Sequence, residues 1–178
     1  VDTDDFPELL AVARAGAGVN NITVDKATEH GICVFNTPGA NANAVKELVL
    51  CGLLLASRGI VPGIEFASTQ TAITDEAELS KLMEQEKKRF KGSEISGKTL
   101  GVIGLGAIGS LVAEMAIGLG MKVQGYDPAL SVEAAWRLPS KVRRKENIAS
   151  LVASSDFISL HLPVLDSTRR LINAEVFT

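Results

Sequence analysis

The second half of the chain alternates short apolar runs with stretches whose apolar residues recur at helical spacing. Runs at residues 99–103, 122–126 and 156–161 predict buried strands, and a weaker run at 141–144 predicts a short one. Residues 107–119, 132–138 and 147–154 predict helices between them, the first of which ends at Gly120. Strands that alternate with helices over short connections predict a parallel sheet with helices on both faces.

The first half has a less regular pattern. Residues 9–13 and 32–35 predict two short strands, separated by a loop rich in glycine and asparagine and by a helix at 24–30. Asn41 or Asn43 is expected to cap a long helix that ends near Ser57. Residues 60–89 are more polar and are expected to be less regular, apart from an amphipathic surface helix at 75–90. A turn at 96–98 leads into the second half.

Composition narrows the function classes. Hydrophobic residues make up 46% of the 178 positions and the formal net charge is −3, so neither nucleic acid nor an anionic membrane is an expected partner. Cys33 and Cys51 lie in apolar runs and are predicted to be buried and unpaired. We expect no metal site. No secretory signal opens the sequence and its most apolar stretch, 48–56, is too short to cross a bilayer, which favours a cytoplasmic location.

One motif carries chemistry: Gly104-Leu105-Gly106-Ala107-Ile108-Gly109, which follows a predicted strand and opens a predicted helix. Gly104 allows a tight turn, Gly106 leaves room for a pyrophosphate to approach the backbone, and Gly109 lets the helix pack against the strand. The first N–H groups of the helix, at Ala107 and Ile108, would point at the phosphates. This context predicts a Rossmann-type, doubly wound α/β domain that binds a dinucleotide.

Asp127 ends the next predicted strand, at nearly the spacing of about 20 residues that this fingerprint requires. A carboxylate there accepts hydrogen bonds from the ribose hydroxyls and repels a 2′-phosphate, which favours NAD over NADP. Pro128 follows it, and Arg137 is the nearest downstream base that could fold back toward a phosphate. The alternative interpretation is a structural glycine turn beside a surface aspartate.

The motifs, in their order, resemble the D-isomer-specific 2-hydroxyacid dehydrogenases along nearly the whole chain. Those that carry the resemblance are the segments at 14–21 and 36–41, the glycine fingerprint, Tyr126-Asp127-Pro128 and His161-Leu162-Pro163. The resemblance implies hydride transfer between NAD and a D-2-hydroxy acid, most nearly a phosphorylated one. The alternatives are another substrate within the same family, such as glyoxylate or hydroxypyruvate, or a non-catalytic NAD-sensing module like the family's corepressor relatives.

The resemblance also implies domains and site residues. Residues 1–38 would be the end of a flavodoxin-like substrate domain and residues 39–178 most of the NAD domain. Arg14, Ala15 and Gly16 would bind substrate, although Arg14 is equally well explained as a surface arginine at a strand end. Ala17 and the segment His161-Leu162-Pro163 would contact the cofactor. This chain departs from the family at Ala17, often a threonine, and at Asn20, often an aspartate.

The same resemblance bears on catalysis and assembly. The family's catalytic arginine, glutamate and histidine follow the last segment present, so no catalytic residue is expected in this chain. His30 and His161 are not candidates: His30 is expected on the surface at a helix end, and His161 beside the cofactor. The sequence starts without methionine and stops as Asn173 is expected to cap a helix, so we interpret it as a piece of a longer protein. The helix at 42–57 is apolar nearly all round and needs burial on more than one side, as a core helix would have. The resemblance implies instead a homodimer contact between NAD domains, which we favour.

Overall fold

A computed structural model describes residue 6 and residues 8–177 and divides the chain into two compact units, residues 1–45 and 46–178. In the first unit, strands β1 (Ala11–Arg14) and β2 (Cys33–Asn36) pair in parallel. Helix α1 (Val24–Glu29) connects them. The predicted helix at 24–30 is confirmed, and both strands lie one or two residues from their predicted bounds.

Three helices precede the main sheet: α2 (Ala42–Ser57), α3 (Ile60–Ser68) and α4 (Glu76–Glu86). Helix α2 starts directly after Asn41, as predicted. The Asp75 side chain caps α4 by accepting a hydrogen bond from the Glu78 N–H (2.8 Å), and a 3₁₀ turn over Lys87–Phe90 follows. The expectation that residues 60–68 would be irregular is wrong: Pro62 lies in the first turn of α3, where its missing N–H leaves no helical hydrogen bond unmade.

The main sheet has four parallel strands, β3 (Thr99–Ile103), β4 (Lys122–Tyr126), β5 (Arg143–Arg144) and β6 (Phe157–Leu160). Their order is β5-β4-β3-β6: β4 and β5 lie on one side of β3, and the chain then crosses over to place β6 on the other side. The strand order therefore reverses at the carboxyl end of β3, the place where open α/β sheets bind ligands. The predicted parallel sheet is confirmed, with β3 and β4 at the predicted bounds.

Helices α5 (Ala107–Gly118) and α7 (Ile148–Val152) cover opposite faces of this sheet. Neighbouring residues of a strand point to opposite faces. On β3, Val102 faces α5, because a side chain at Gly109 of α5 would lie 3.3 Å from the Val102 side chain. Gly101 faces α7, because a side chain at Gly101 would lie 2.5 Å from Leu151. The core between them contains the largest fully buried side chains of the described residues: Leu100, Val102, Ile103, Val112 and Leu151.

The polar side chain of Gln124 on β4 is buried beside this core. Its Nε2 lies within hydrogen-bond distance of the Leu151 carbonyl (3.1 Å) and of the Ser154 and Ser155 hydroxyls (2.9 and 2.8 Å). The bonds satisfy a polar group that would otherwise be costly to bury. They tie β4 to the end of α7.

The prediction that both cysteines are buried is wrong, because Cys33 and Cys51 are exposed free thiols. Cys33 lies on the two-stranded sheet, where the side chains of β2 are largely exposed. Cys51 lies two residues from the buried Leu53 on α2, and therefore about 200° around the helix from it. An apolar run alone does not show which side of an element is covered.

Candidate dinucleotide site

The glycine motif forms the turn between β3 and α5. Gly104 has a φ of +89°, and a side chain there would lie 2.5 Å from the His161 carbonyl oxygen, so only glycine fits. A side chain at Gly109 would lie 1.9 Å from the Gly104 carbonyl oxygen. Because Gly109 has no side chain, the helix can pack closely against the turn. Gly106 differs from both: its missing side chain would project into open space at the start of α5.

Asp127 lies directly after β4 and reaches back to this turn. Its Oδ2 accepts a hydrogen bond from the Leu105 N–H at 2.8 Å, and its Oδ1 accepts one from the Ala129 N–H at 2.9 Å. Two backbone donors thus fix the orientation of the carboxylate. Each carboxylate oxygen has a second lone pair, so each can still accept a hydrogen bond from a ligand hydroxyl.

A cleft of about 940 Å³ opens beside Asp127, in the size range of small-molecule sites. The turn residue Leu105 forms one wall, and Val132 and Trp136 of helix α6 (Val132–Arg137) form another. The basic residues that line the cleft are Arg144 and Lys145 rather than Arg137.

The end of β6 adds a third side to the turn. The His161 N–H donates to the Ile103 carbonyl (2.8 Å), and Leu162 packs against Gly104. The His161 Nε2 lies 2.8 Å from the Ser159 hydroxyl, and burial lowers the pKa of His161 below its ordinary 6.5. His161 is therefore neutral at pH 7 and suited to hydrogen bonding beside the turn. Pro163 begins a loop that Thr168 holds by donating to the Pro163 carbonyl (2.6 Å).

The predicted substrate loop lies in the first unit and is tied down internally. The Arg14 guanidinium donates to the Gly18 carbonyl. The Gly16 N–H donates to the Thr37 hydroxyl (2.7 Å), and the Asn36 amide donates to the Ala17 carbonyl (2.8 Å). Ala15 and the loop that follows therefore have a defined backbone. Sequence reasoning used Asn36 and Thr37 only as family markers and missed that they hold this loop.

The sequence-predicted residues of the second unit do come together. Gly104, Gly106, Ala107, Ile108 and Gly109 form the turn and the first turn of α5, and Asp127, His161 and Leu162 surround it. His30 is exposed at the end of α1 in the first unit, as expected. Sequence reasoning missed Trp136, whose one available signal was its i, i+4 spacing from Val132 just after the acidic residue.

These residues fit a dinucleotide. A helix N-terminus with unpaired N–H groups attracts phosphate, and a glycine N-cap leaves it open. The Asp127 carboxylate accepts a hydrogen bond from Leu105 of the same turn, so one ligand can contact both the helix N-terminus and the carboxylate. Among residue 6 and residues 8–177, no group of three His, Cys, Asp or Glu side chains is arranged to hold a metal ion.

Comparison with known proteins agrees with this geometry. The family model "D-isomer specific 2-hydroxyacid dehydrogenase, NAD binding domain" matches residues 64–178. The chain belongs to this family. NAD is accordingly the cofactor of the domain. The chain is 43% identical over 167 residues to the hydroxypyruvate reductase of Thermotoga maritima, covering 94% of this chain and 48% of that protein. It is 42% identical over 168 residues to the D-3-phosphoglycerate dehydrogenase of Methanocaldococcus jannaschii, covering 94% and 29%.

Among solved structures, the NAD⁺-bound 3-phosphoglycerate dehydrogenase of Entamoeba histolytica superposes with a TM-score of 0.68 at 30% identity, covering 96% of this chain and 45% of that one. The chain therefore spans half or less of the length of these relatives. Within the described part of the chain, no single helix is long and apolar enough to span a membrane. The α2–α3 pair passes that test only jointly and is bent by 66°.

Proposed function

We propose that the second unit binds NAD with the pyrophosphate at the start of α5 and the adenosine ribose on Asp127. The observation that carries this proposal is the 2.8 Å hydrogen bond from the Leu105 N–H to Asp127, which joins the sugar-binding acid to the phosphate-binding turn. The N–H groups of Ala107 and Ile108 face the phosphates, and Gly106 gives them access. His161, Leu162 and Pro163 border the cofactor from the end of β6.

The charge of Asp127 makes the site selective for NAD over NADP. A 2′-phosphate on the ribose would place negative charge against a carboxylate whose orientation is fixed. When bound, NAD supplies hydride acceptance and donation at the nicotinamide ring. The chain's own residues bind and orient it.

Asp127→Asn tests this site, and Asp156→Asn is the matched control. Asp156 also accepts a backbone hydrogen bond, from the Thr99 N–H at 2.7 Å, but at the opposite end of β3. Because a hydrogen bond to a charged group contributes about 1.5–3 kcal/mol, Asp127→Asn should weaken NADH binding by about tenfold or more and reduce the preference over NADPH. Asp156→Asn should leave both affinities unchanged in calorimetric titrations. Equal behaviour of the two variants would remove Asp127 from the ribose site.

For the intact protein we propose the NAD-dependent oxidation of 3-phospho-D-glycerate to 3-phosphohydroxypyruvate, a step of serine biosynthesis in the cytoplasm. Residues 1–38 would belong to its substrate domain, with Arg14, Ala15 and Gly16 in the loop that meets the anionic substrate. The similarity to D-3-phosphoglycerate dehydrogenase at 42% identity supports this substrate. The second candidate is hydroxypyruvate reduction, because a reductase of that name is 43% identical.

Parallel assays distinguish the two substrates. The full-length protein should reduce NAD⁺ with 3-phosphoglycerate and much more slowly with glycerate or lactate. Faster NADH oxidation with hydroxypyruvate would support the reductase, and tight NADH binding without turnover on any of these would support a sensor. The 178-residue chain by itself should bind NADH without turnover, because the family's catalytic arginine, glutamate and histidine are not expected in it. Turnover by the purified chain would contradict that expectation.

We further propose a homodimer through α2 and α3. Leu48 is 72% exposed, and Leu54, Leu55, Ile60, Val61 and Ile64 continue the same type of surface. Exposed apolar side chains on two consecutive helices would gain burial by packing against a second copy of the chain. Sedimentation should give a dimer that Leu48→Lys converts to a monomer, whereas Val164→Lys, at a residue that is 79% exposed in the loop after β6, should not. A monomer at all concentrations of the wild type would contradict the proposal.

A further inference from the structure

Helix α6 presents two large apolar side chains to solvent on one side. Val132 and Trp136 are four residues apart, hence neighbours on the helix surface, and they are 76% and 85% exposed. Both line the cleft beside Asp127. Keeping an indole and an isopropyl group in water is unfavourable. A ligand that enters the cleft would cover them.

The chemistry of the cleft restricts that ligand. Leu105 forms the wall nearest β4, where its side chain occupies the space that a side chain at Gly125 would need. Leu130, Leu138 and Val142 add apolar surface, and Ser131 and Ser140 add hydroxyls. A flat ring with polar edges matches such a cleft, and stacking on an aromatic side chain is a strong way to hold a base.

We propose that Trp136 stacks on the adenine ring of NAD and that Val132 completes the wall of this adenine subsite. The inference rests on the proposed ribose site. Adenine is bonded directly to the ribose that Asp127 would hold, so the base lies in the part of the cleft next to that carboxylate. Trp136 is thus an affinity-determining residue for the adenosine half and makes no contact with the nicotinamide half.

Fluorescence tests the contact directly, because Trp136 is the single tryptophan of the sequence. Acrylamide should quench the exposed indole efficiently in the free chain. ADP-ribose, which contains the adenosine half, should reduce that quenching, whereas nicotinamide mononucleotide, which lacks it, should not. If calorimetry shows that ADP-ribose is bound and acrylamide quenching is unchanged, the proposal is wrong.

Affinity gives a second, independent test. Trp136→Ala should raise the Kd of ADP-ribose by about tenfold or more, whereas Trp136→Phe, which keeps an aromatic face, should stay within about threefold of wild type. Leu10→Ala, at an exposed apolar residue just before β1, should have no effect. Equal affinities for the Ala and Phe variants would overturn the proposal. If circular dichroism shows that Trp136→Ala does not fold, the Phe variant and the wild-type quenching decide the question.

These experiments distinguish failure of the NAD site at Asp127 from failure of the adenine contact at Trp136. If Asp127→Asn abolishes ADP-ribose binding while Trp136→Ala does not weaken it, the dinucleotide site stands and the role of Trp136 is wrong. If the wild-type chain binds neither ADP-ribose nor NAD, the proposed function itself fails, and the adenine subsite fails with it.

Discussion

Alanine at Gly109 should lower the stability of the fold, whereas alanine at Gly106 should lower the affinity for NADH and leave the stability unchanged. At Gly109 the new methyl carbon would lie 1.9 Å from the Gly104 carbonyl oxygen. An ordinary carbon–oxygen contact is about 3.3 Å, so turn and helix would have to move apart by roughly 1.4 Å. Such overpacking costs about 3 kcal/mol, at the upper end of its usual range, because backbone is present on the opposing side.

The higher helix propensity of alanine offsets about 1 kcal/mol of this cost. The free energy of unfolding of Gly109→Ala should therefore be about 2 kcal/mol lower than that of the wild type. At Gly106 a methyl group meets nothing within 4 Å, and the φ of −69° and ψ of −158° suit alanine. The poorer N-cap and the lower entropy of the unfolded chain then oppose each other at about 1 kcal/mol or less each, so the stability of Gly106→Ala should match wild type. Its methyl group would instead occupy the approach of the pyrophosphate.

Urea denaturation followed by circular dichroism, together with NADH titration, checks both variants. Gly109→Ala should lower the urea midpoint by about 1 M, for a slope of about 2 kcal/mol per M. Gly106→Ala should keep the midpoint and lose at least about tenfold in NADH affinity, equivalent to about 1.4 kcal/mol. If Gly106→Ala binds NADH like wild type, the pyrophosphate does not approach at Gly106. If Gly109→Ala keeps its midpoint, the close packing of helix and turn does not stabilise the fold.

Two further perturbations follow from the described hydrogen bonds and from burial. Thr37→Val removes the hydroxyl that accepts from the Gly16 N–H and leaves that N–H only the Arg14 carbonyl, at 3.0 Å. The Gly16 amide should therefore exchange about threefold faster than in Thr37→Ser, a comparison read by hydrogen exchange. Burial lowers the pKa of His161 below 6.5, so the unfolded chain binds the proton first as the pH falls. The free energy of unfolding should therefore decrease as the pH falls below 6.5. Urea titrations at one pH unit above and one pH unit below 6.5 should show a smaller decrease for His161→Gln than for the wild type. Equal decreases in the two proteins would contradict this.

The sequence predicts the central strands well because their burial is encoded locally. β3 is an almost continuous apolar run, β4 follows a helix that Gly120 closes, the inner residues of both strands are buried, and the bounds of both match the prediction. The glycine turn and Asp127 were also predictable, since each glycine has a steric task at a fixed spacing. These features depend on short segments that carry their own signal.

Features that depend on distant partners were not predictable. Pro62-Gly63 has the composition of a turn, yet it lies inside α3, where a side chain at Gly63 would meet the Phe90 ring at 3.5 Å. The role of Thr37 depends on Gly16, 21 residues away, and the sequence gives no sign of that pairing. Trp136 has meaning only once the cleft beside Asp127 is formed.

The buried amide of Gln124 also protects the chain from a misaligned fold. If β4 slipped by one residue, every side chain on it would exchange faces. Gln124 would then face the apolar side chain of Leu105, away from the carbonyl of Leu151 and the two serine hydroxyls, and its amide would lose all three acceptors. One buried polar residue on an inner strand thus makes the wrong alignment costly, and keeps Asp127, three positions further on, within hydrogen-bonding distance of the Leu105 N–H.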